Sequence, residues 1–98
     1  MALTILLEDE FGGAIKTLSQ ELEWGDVGFQ ERRKFRLLKY IDSCGDTTFN
    51  TLQLADLLQD FEQLKPLLIS QAGVIEQIIR LIKESQNDVH TYIKFYGD

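Results

Sequence analysis

Two consecutive amphipathic segments between residues 51 and 86 constrain the fold of this 98-residue chain most strongly. Apolar residues recur at helical spacing in both, as Leu54, Leu57, Leu58, Phe61 and Leu64 and then as Ala72, Ile75, Ile79 and Ile82. Pro66 suits a first helical turn, because its missing N–H needs no partner there. We therefore predict antiparallel helices at about 51–64 and 66–86, with Asp56, Asp60 and Glu62 on the solvated side of the first.

The segment before residue 25 predicts a hairpin. Residues 2–7 are apolar, and Asp9-Glu10-Phe11-Gly12-Gly13 is typical of a turn. Residues 14–18 would then return as the second strand. A helix over residues 14–24 is the open alternative, because apolar residues also recur there at helical spacing.

Two further segments predict strands. Residues 35–42 carry apolar side chains on both faces of an extended chain, which favours a central strand. Residues 90–96 alternate and are rich in aromatic side chains, which favours a last strand. The prediction is a single α+β domain over residues 1–98, with a small, mostly antiparallel sheet packed on the two helices.

A polar turn follows the predicted strand at 35–42. Gly45 can adopt a positive φ, and Asp46 offers a side-chain oxygen to nearby N–H groups. Asn50 is a favourable helix N-cap, and Gln53 three residues later completes the capping-box pattern. These four residues are predicted to hold the turn and to begin the first helix.

The expected topology would bring Asp42, Cys44, Asp46, Asp88 and His90 to one end of the sheet. Such a cluster would suit Mg²⁺ or Mn²⁺, and a Cys44–His90 pair would suit nucleophilic chemistry. The simpler interpretation is that these side chains are structural. No residue is assigned as catalytic and no metal or cofactor is predicted, because the sequence lacks a phosphate-binding glycine loop, zinc-type spacing and a nucleophile motif.

The charge of the chain is acidic and unevenly placed. A formal net charge of −6 argues against general affinity for nucleic acid or anionic membranes. The acid-rich N-terminal third predicts a recognition patch for a basic partner protein, consisting of Glu8, Asp9, Glu10, Glu21, Glu23 and Asp26. Trp24 fits a core anchor or a lid over the sheet better than a ligand platform, but it would serve as a binding anchor if it is exposed.

A basic strip follows the acidic third. It consists of Arg32, Arg33, Lys34, Arg36 and Lys39, half of the chain's ten basic residues. The strip can complement the acids across the folded surface, or it can bind nucleic acid. A homodimer is a further alternative, in which two copies would pair through the last strand or through the two charged segments.

The sequence also carries indications of location. Cys44 is the only cysteine, which favours an intracellular setting. The N-terminus lacks a basic region before an apolar core, and no apolar run approaches about 18 residues. We expect a cytoplasmic protein that does not associate with membranes.

Two motifs resemble those of a family of small, uncharacterised bacterial proteins. One is the run Gly45-Asp46-Thr47-Thr48-Phe49-Asn50-Thr51-Leu52-Gln53 after Tyr40-Ile41-Asp42, and the other is the closing run His90-Thr91-Tyr92-Ile93-Lys94-Phe95-Tyr96-Gly97-Asp98. The resemblance covers about residues 35–98 and implies one compact bacterial α+β domain. It brings no activity, cofactor or substrate, and Cys44 stands where such proteins often carry an aromatic residue.

The leading functional expectation is a non-enzymatic protein-binding domain, such as an immunity protein, an inhibitor or an accessory subunit with a basic partner. The first alternative is an enzyme, metal-dependent or Cys/His-based, at Asp42, Asp46 and His90. The second is nucleic-acid binding through the basic strip at 32–39.

Overall fold

The computed structural model describes residues 2–26, 32–42 and 44–97. Within these residues, a five-stranded antiparallel sheet packs on two helices, which confirms the α+β class. The strands are β1 (Ala2–Glu8), β2 (Ala14–Thr17), β3 (Leu22–Glu23), β4 (Asp46–Phe49) and β5 (Tyr92–Tyr96), and the helices are α1 (Leu54–Leu64) and α2 (Ala72–Ser85).

The sheet is built around β1 and β5. Its order is β2-β1-β5-β4, and β3 pairs with the first residues of β1 on the same side as β2. The predicted hairpin is present. Its turn is held by the Asp9 carboxylate, which accepts the N–H groups of Phe11 at 2.9 Å and of Gly13 at 2.8 Å. Gly12 adopts φ 82°, a conformation that other residues resist.

The two helices run antiparallel and cover one side of the sheet. Short 3₁₀ turns, Lys65–Leu67 and Ile69–Gln71, join them, so the second α-helix begins later than predicted. Pro66 lies in the first of these turns. On the helix side, Phe95 of β5 stacks on Phe61 of α1 at a centroid distance of 5.7 Å and meets Phe49 of β4 edge-on at 5.8 Å.

Residues 35–42 do not form the predicted strand. They form bends and one 3₁₀ turn, Leu38–Tyr40, and the strand lies beyond the polar turn, as β4. Phe35, Leu38 and Ile41 are the buried apolar residues of this segment. Their spacing of three residues matches the 3₁₀ period and not the period of two that a strand requires.

The buried carboxylate of Asp60 holds this segment. Asp60 lies on α1 with only 2% of its surface exposed, which corrects the prediction that it is solvated. Its two oxygens accept the N–H groups of Arg36 at 3.3 Å, Leu37 at 2.7 Å and Leu38 at 3.2 Å. These bonds replace the ladder partners that a strand would need.

The turn residues keep some of their predicted roles. The capping box is present before the 3₁₀ turn Thr51–Gln53, with the Asn50 N–H donating to Gln53 Oε1 at 3.0 Å. Gly45 does not adopt a positive φ. A Cβ there would lie 3.0 Å from Asp42 Oδ2, so the glycine leaves room for that carboxylate. Asp46 is the first residue of β4.

Candidate partner-binding face

The side of the sheet opposite the helices forms an open face. In the described part of the chain, the helices pack on the side to which Leu3, Ile5 and Ile93 point. The alternate residues of each strand point away from the helices. The strand register places these residues opposite one another, as Thr4–Tyr96, Leu6–Lys94, Glu8–Tyr92, Asp46–Tyr96 and Thr48–Lys94.

The centre of the open face is partly apolar. Leu6 and Tyr92 are half-buried, and Tyr96 is 49% exposed. The Lys94 ammonium lies between the two tyrosines along β5 and 5.7 Å from the Tyr96 ring centroid. Two tyrosines on a rigid strand supply apolar contact area and hydroxyl groups at a low cost in side-chain entropy.

Carboxylates surround this centre. Lys94 Nζ lies 3.7 Å from Glu8 Oε2 and 3.5 Å from Asp46 Oδ2. The Thr4 hydroxyl donates to Glu21 Oε2 at 3.3 Å, which brings that carboxylate to the open face. Glu23 of β3 pairs with Ala2 of β1, so its side chain shares the same side of the sheet.

The structure therefore groups three members of the predicted acidic patch on one face. Glu8, Glu21 and Glu23 belong to it, and Asp46 joins them. Lys94 is the only basic residue that the described strands direct to this face. Among the described strand residues, carboxylates therefore outnumber the one ammonium on this face.

Two further acids of the patch lie beside the open face, in the hairpin turn. Asp9 holds the turn, as described above. Glu10 Oε2 lies 3.2 Å from His90 Nδ1, and both side chains are well exposed. These acids continue the acidic surface beyond the Glu8 end of β1.

Trp24 does not serve as an exposed anchor, because it is fully buried in the core. The Arg32 guanidinium lies over its ring at 5.1 Å. Its Nε1 has no hydrogen-bond partner among the residues that the structure describes. Asp26 lies in the 3₁₀ turn Trp24–Asp26, and its side chain is outside the described part.

The predicted cluster of Asp42, Asp46 and His90 is not formed. β4 and β5 are antiparallel, with Asp46 opposite Tyr96, whereas His90 precedes the other end of β5. Six strand residues span about 20 Å. The prediction failed because the strand follows the polar turn, which moves the turn to the opposite end of the sheet.

The same geometry separates Cys44 from His90. Asp42 Oδ1 accepts the Cys44 N–H at 2.9 Å, two residues before β4 begins. His90 donates its own N–H to Asp88 Oδ1 at 2.9 Å. Over residues 2–26, 32–42 and 44–97, no three His, Cys, Asp or Glu side chains are grouped to hold a metal ion.

Two members of the basic strip have defined positions away from the strands, with Arg36 beside α1 and Arg32 over the buried Trp24 ring. Arg36 Nη1 lies 3.2 Å from Asp56 Oδ1, and Lys39 lies 5.2 Å from the Tyr40 ring centroid. Arg36 and Lys39 therefore each interact with a side chain close to the strip.

Sequence reasoning missed the aromatic centre of the face. The signal was present, because the alternation in residues 92–96 assigns Tyr92, Lys94 and Tyr96 to the side opposite Ile93 and Phe95. What the sequence did not show was which side the helices cover.

Comparison with known proteins gives no match, so the function must be inferred from the fold and from the open face. No protein-family model matches the chain, and neither a curated protein nor a solved structure matches it. Among the helices of the described residues, none combines the length and apolar character needed to cross a bilayer.

Proposed function

We propose that this chain is a non-enzymatic protein-binding domain whose open face binds a basic partner protein. One observation carries the proposal. The open face places Leu6, Tyr92 and Tyr96 inside a ring of four carboxylates with a single lysine. An aromatic centre with a charged rim is the arrangement that protein interfaces use.

The acidic charge of the face favours a partner with a basic surface. Carboxylates outnumber cations among the described residues of the face, and the chain has a net charge of −6, so both short-range and long-range fields attract a basic surface. Complementary charge raises the association rate and repels acidic competitors. An immunity protein, an inhibitor or an accessory subunit would each use such a face.

The size of the face sets how the partner must sit. Four neighbouring strands of four to seven residues, at about 3.4 Å per residue and about 4.8 Å apart, give roughly 330 Å². A stable interface buries about 800 Å² on each partner. The partner must therefore extend past the sheet, and the hairpin acids Asp9 and Glu10 are the adjoining surface that continues the charge.

The test is an affinity capture from the native cell with charge-matched variants. The double variant Glu21→Lys with Glu23→Lys changes the face, and Asp56→Lys with Glu62→Lys applies the same charge change on the outer surface of α1. We expect one basic protein in stoichiometric amount with the wild type and the control, and its loss with the face variant.

Two results would contradict the proposal. The first is equal recovery of every bound protein by the face variant and its control. The second is recovery of nucleic acid that falls with rising salt and with Arg33→Glu, while the face variant retains it, because this outcome assigns binding to the basic strip.

A further inference from the structure

A groove lies between the edge strand β2 and the helix α2, on the helix side of the sheet. It holds a cavity of about 480 Å³, whose lining includes Thr17 and Leu18 of the strand side and Arg80 and Leu81 of the helix.

The strand side of the groove offers backbone hydrogen bonds. The Leu18 N–H donates to the Ile5 carbonyl of β1 at 3.0 Å. Because successive residues of a strand direct their backbone groups to opposite edges, the N–H and C=O of Thr17 point away from β1. β2 is outermost in the sheet, and no described strand lies beyond it.

The helix side of the groove offers a cation. Arg80 is exposed, and no salt bridge joins it to a residue in the described part of the chain. Lys16 of β2 is engaged by Glu84 of α2 at 3.4 Å, which spans the groove. These three side chains sum to +1 in an otherwise acidic protein. Leu81, which is 1% exposed, supplies an apolar floor.

We propose that this groove binds an extended segment of another protein, which adds to β2 as a further strand and places one acidic side chain against Arg80. Main-chain bonds to Thr17 supply affinity, and the arginine supplies selection for a carboxylate. The groove lies at the outer edge of β2 and along α2, and its proposed occupant does not depend on the function proposed for the open face.

The charges of the groove disfavour a second copy as the occupant. Pairing of β2 with its own copy would gather Lys16 and Arg80 from both chains, four cations against two Glu84 carboxylates. An incoming acidic side chain instead balances the single excess charge.

The probe is a phage-displayed library of random 12-residue peptides, selected on the full chain, followed by affinity measurement of a synthetic peptide from the selection. We expect the selected peptides to share an Asp or Glu at a fixed position. Thr17→Pro should weaken the synthetic peptide at least tenfold, because it removes an outward N–H that β1 does not use. Arg80→Glu should weaken it similarly.

Matched controls separate the groove from other effects. Lys83→Glu makes the same charge change as Arg80→Glu on an exposed position of α2 outside the cavity lining, and should leave the affinity unchanged. Tyr96→Ala on the open face should also leave it unchanged. If Thr17→Pro fails to fold by circular dichroism, the comparison of Arg80→Glu with Lys83→Glu decides.

The proposal is overturned if no common peptide is selected, or if Arg80→Glu and Lys83→Glu bind it equally. It is also overturned, in favour of a second copy, if sedimentation shows a concentration-dependent dimer that Thr17→Pro abolishes.

Discussion

Replacing Asp60 with alanine should destabilise the fold more than replacing any exposed acid on α1. The carboxylate is buried and accepts three backbone N–H groups, at 2.7, 3.2 and 3.3 Å. The Leu38 N–H is buried, and leaving it without an acceptor costs about 1–3 kcal/mol. The N–H groups of Arg36 and Leu37 are partly buried, so water can replace part of each bond.

Adding about 0.5–1.5 kcal/mol for each partly buried group gives a total loss of about 2–6 kcal/mol. This is a large share of the 5–15 kcal/mol by which domains are usually stable. Asp60→Asn should cost less, about 1–2 kcal/mol. Its oxygen can take the position of Oδ2, which serves Leu37 and Leu38, and only the long bond from Arg36 is lost.

Urea denaturation followed by circular dichroism measures this loss of free energy. Asp56→Ala is the matched control on the same helix, because its exposed ion pair with Arg36 contributes at most about 0.5–1 kcal/mol. The expected order of destabilisation is Asp60→Ala, then Asp60→Asn, then Asp56→Ala. A loss for Asp60→Ala no larger than that for Asp56→Ala would refute the argument that Asp60 holds residues 36–38.

Three further predictions concern the core, one ion pair and the junction of α2 with β5. Phe95→Ala, at a fully buried ring, should cost about 3–5 kcal/mol in urea denaturation, whereas Tyr96→Ala, at a half-exposed ring, should cost less than about 1. The hydrogen bond from Lys65 lowers the pKa of the Glu76 carboxyl below its ordinary value of 4.5. The ion pair therefore stabilises the fold fully at pH values above 4.5, and this stabilisation is lost as the pH falls through the lowered pKa. Glu76→Gln should remove this part of the decline in the urea midpoint between pH 7 and pH 3; an unchanged decline would contradict it. Thr91→Val deletes a buried hydroxyl that meets the Ser85 hydroxyl at 2.7 Å, and should cost about 1–3 kcal/mol in the same assay.

The elements that the sequence predicted correctly are those with a strong local period. Both helices carry continuous apolar stripes, and the hairpin has a turn built from Asp9 and two glycines. Residues 35–42 were misjudged, because their apolar residues fit a strand by local pattern. Their conformation depends on Asp60, which is more than twenty residues away in the chain.

The incorrect strand at residues 35–42 also led to the incorrect prediction of a site at Asp42, Asp46 and His90. Placing the strand before the polar turn put Asp46 and His90 at the same end of the sheet, whereas β4 follows the turn and puts them at opposite ends. Part of the acidic patch was grouped correctly. Strand alternation places the side chains of Glu8 and Glu23 on the same face once the register is known. Trp24, a large apolar side chain, is a core residue more readily than a ligand platform, and its burial agrees with that interpretation.

The central claim, that the open face binds a basic protein, is tested most directly by the dissociation constant of the captured partner for two tyrosine variants. Tyr96→Ala removes an aromatic from the open face, and Tyr40→Ala removes one that is 64% exposed, next to the segment held by α1. We predict that Tyr96→Ala weakens binding at least tenfold, about 1.4 kcal/mol, and that Tyr40→Ala leaves it unchanged. Equal affinities for the two variants, or a loss only with Tyr40→Ala, would contradict the claim.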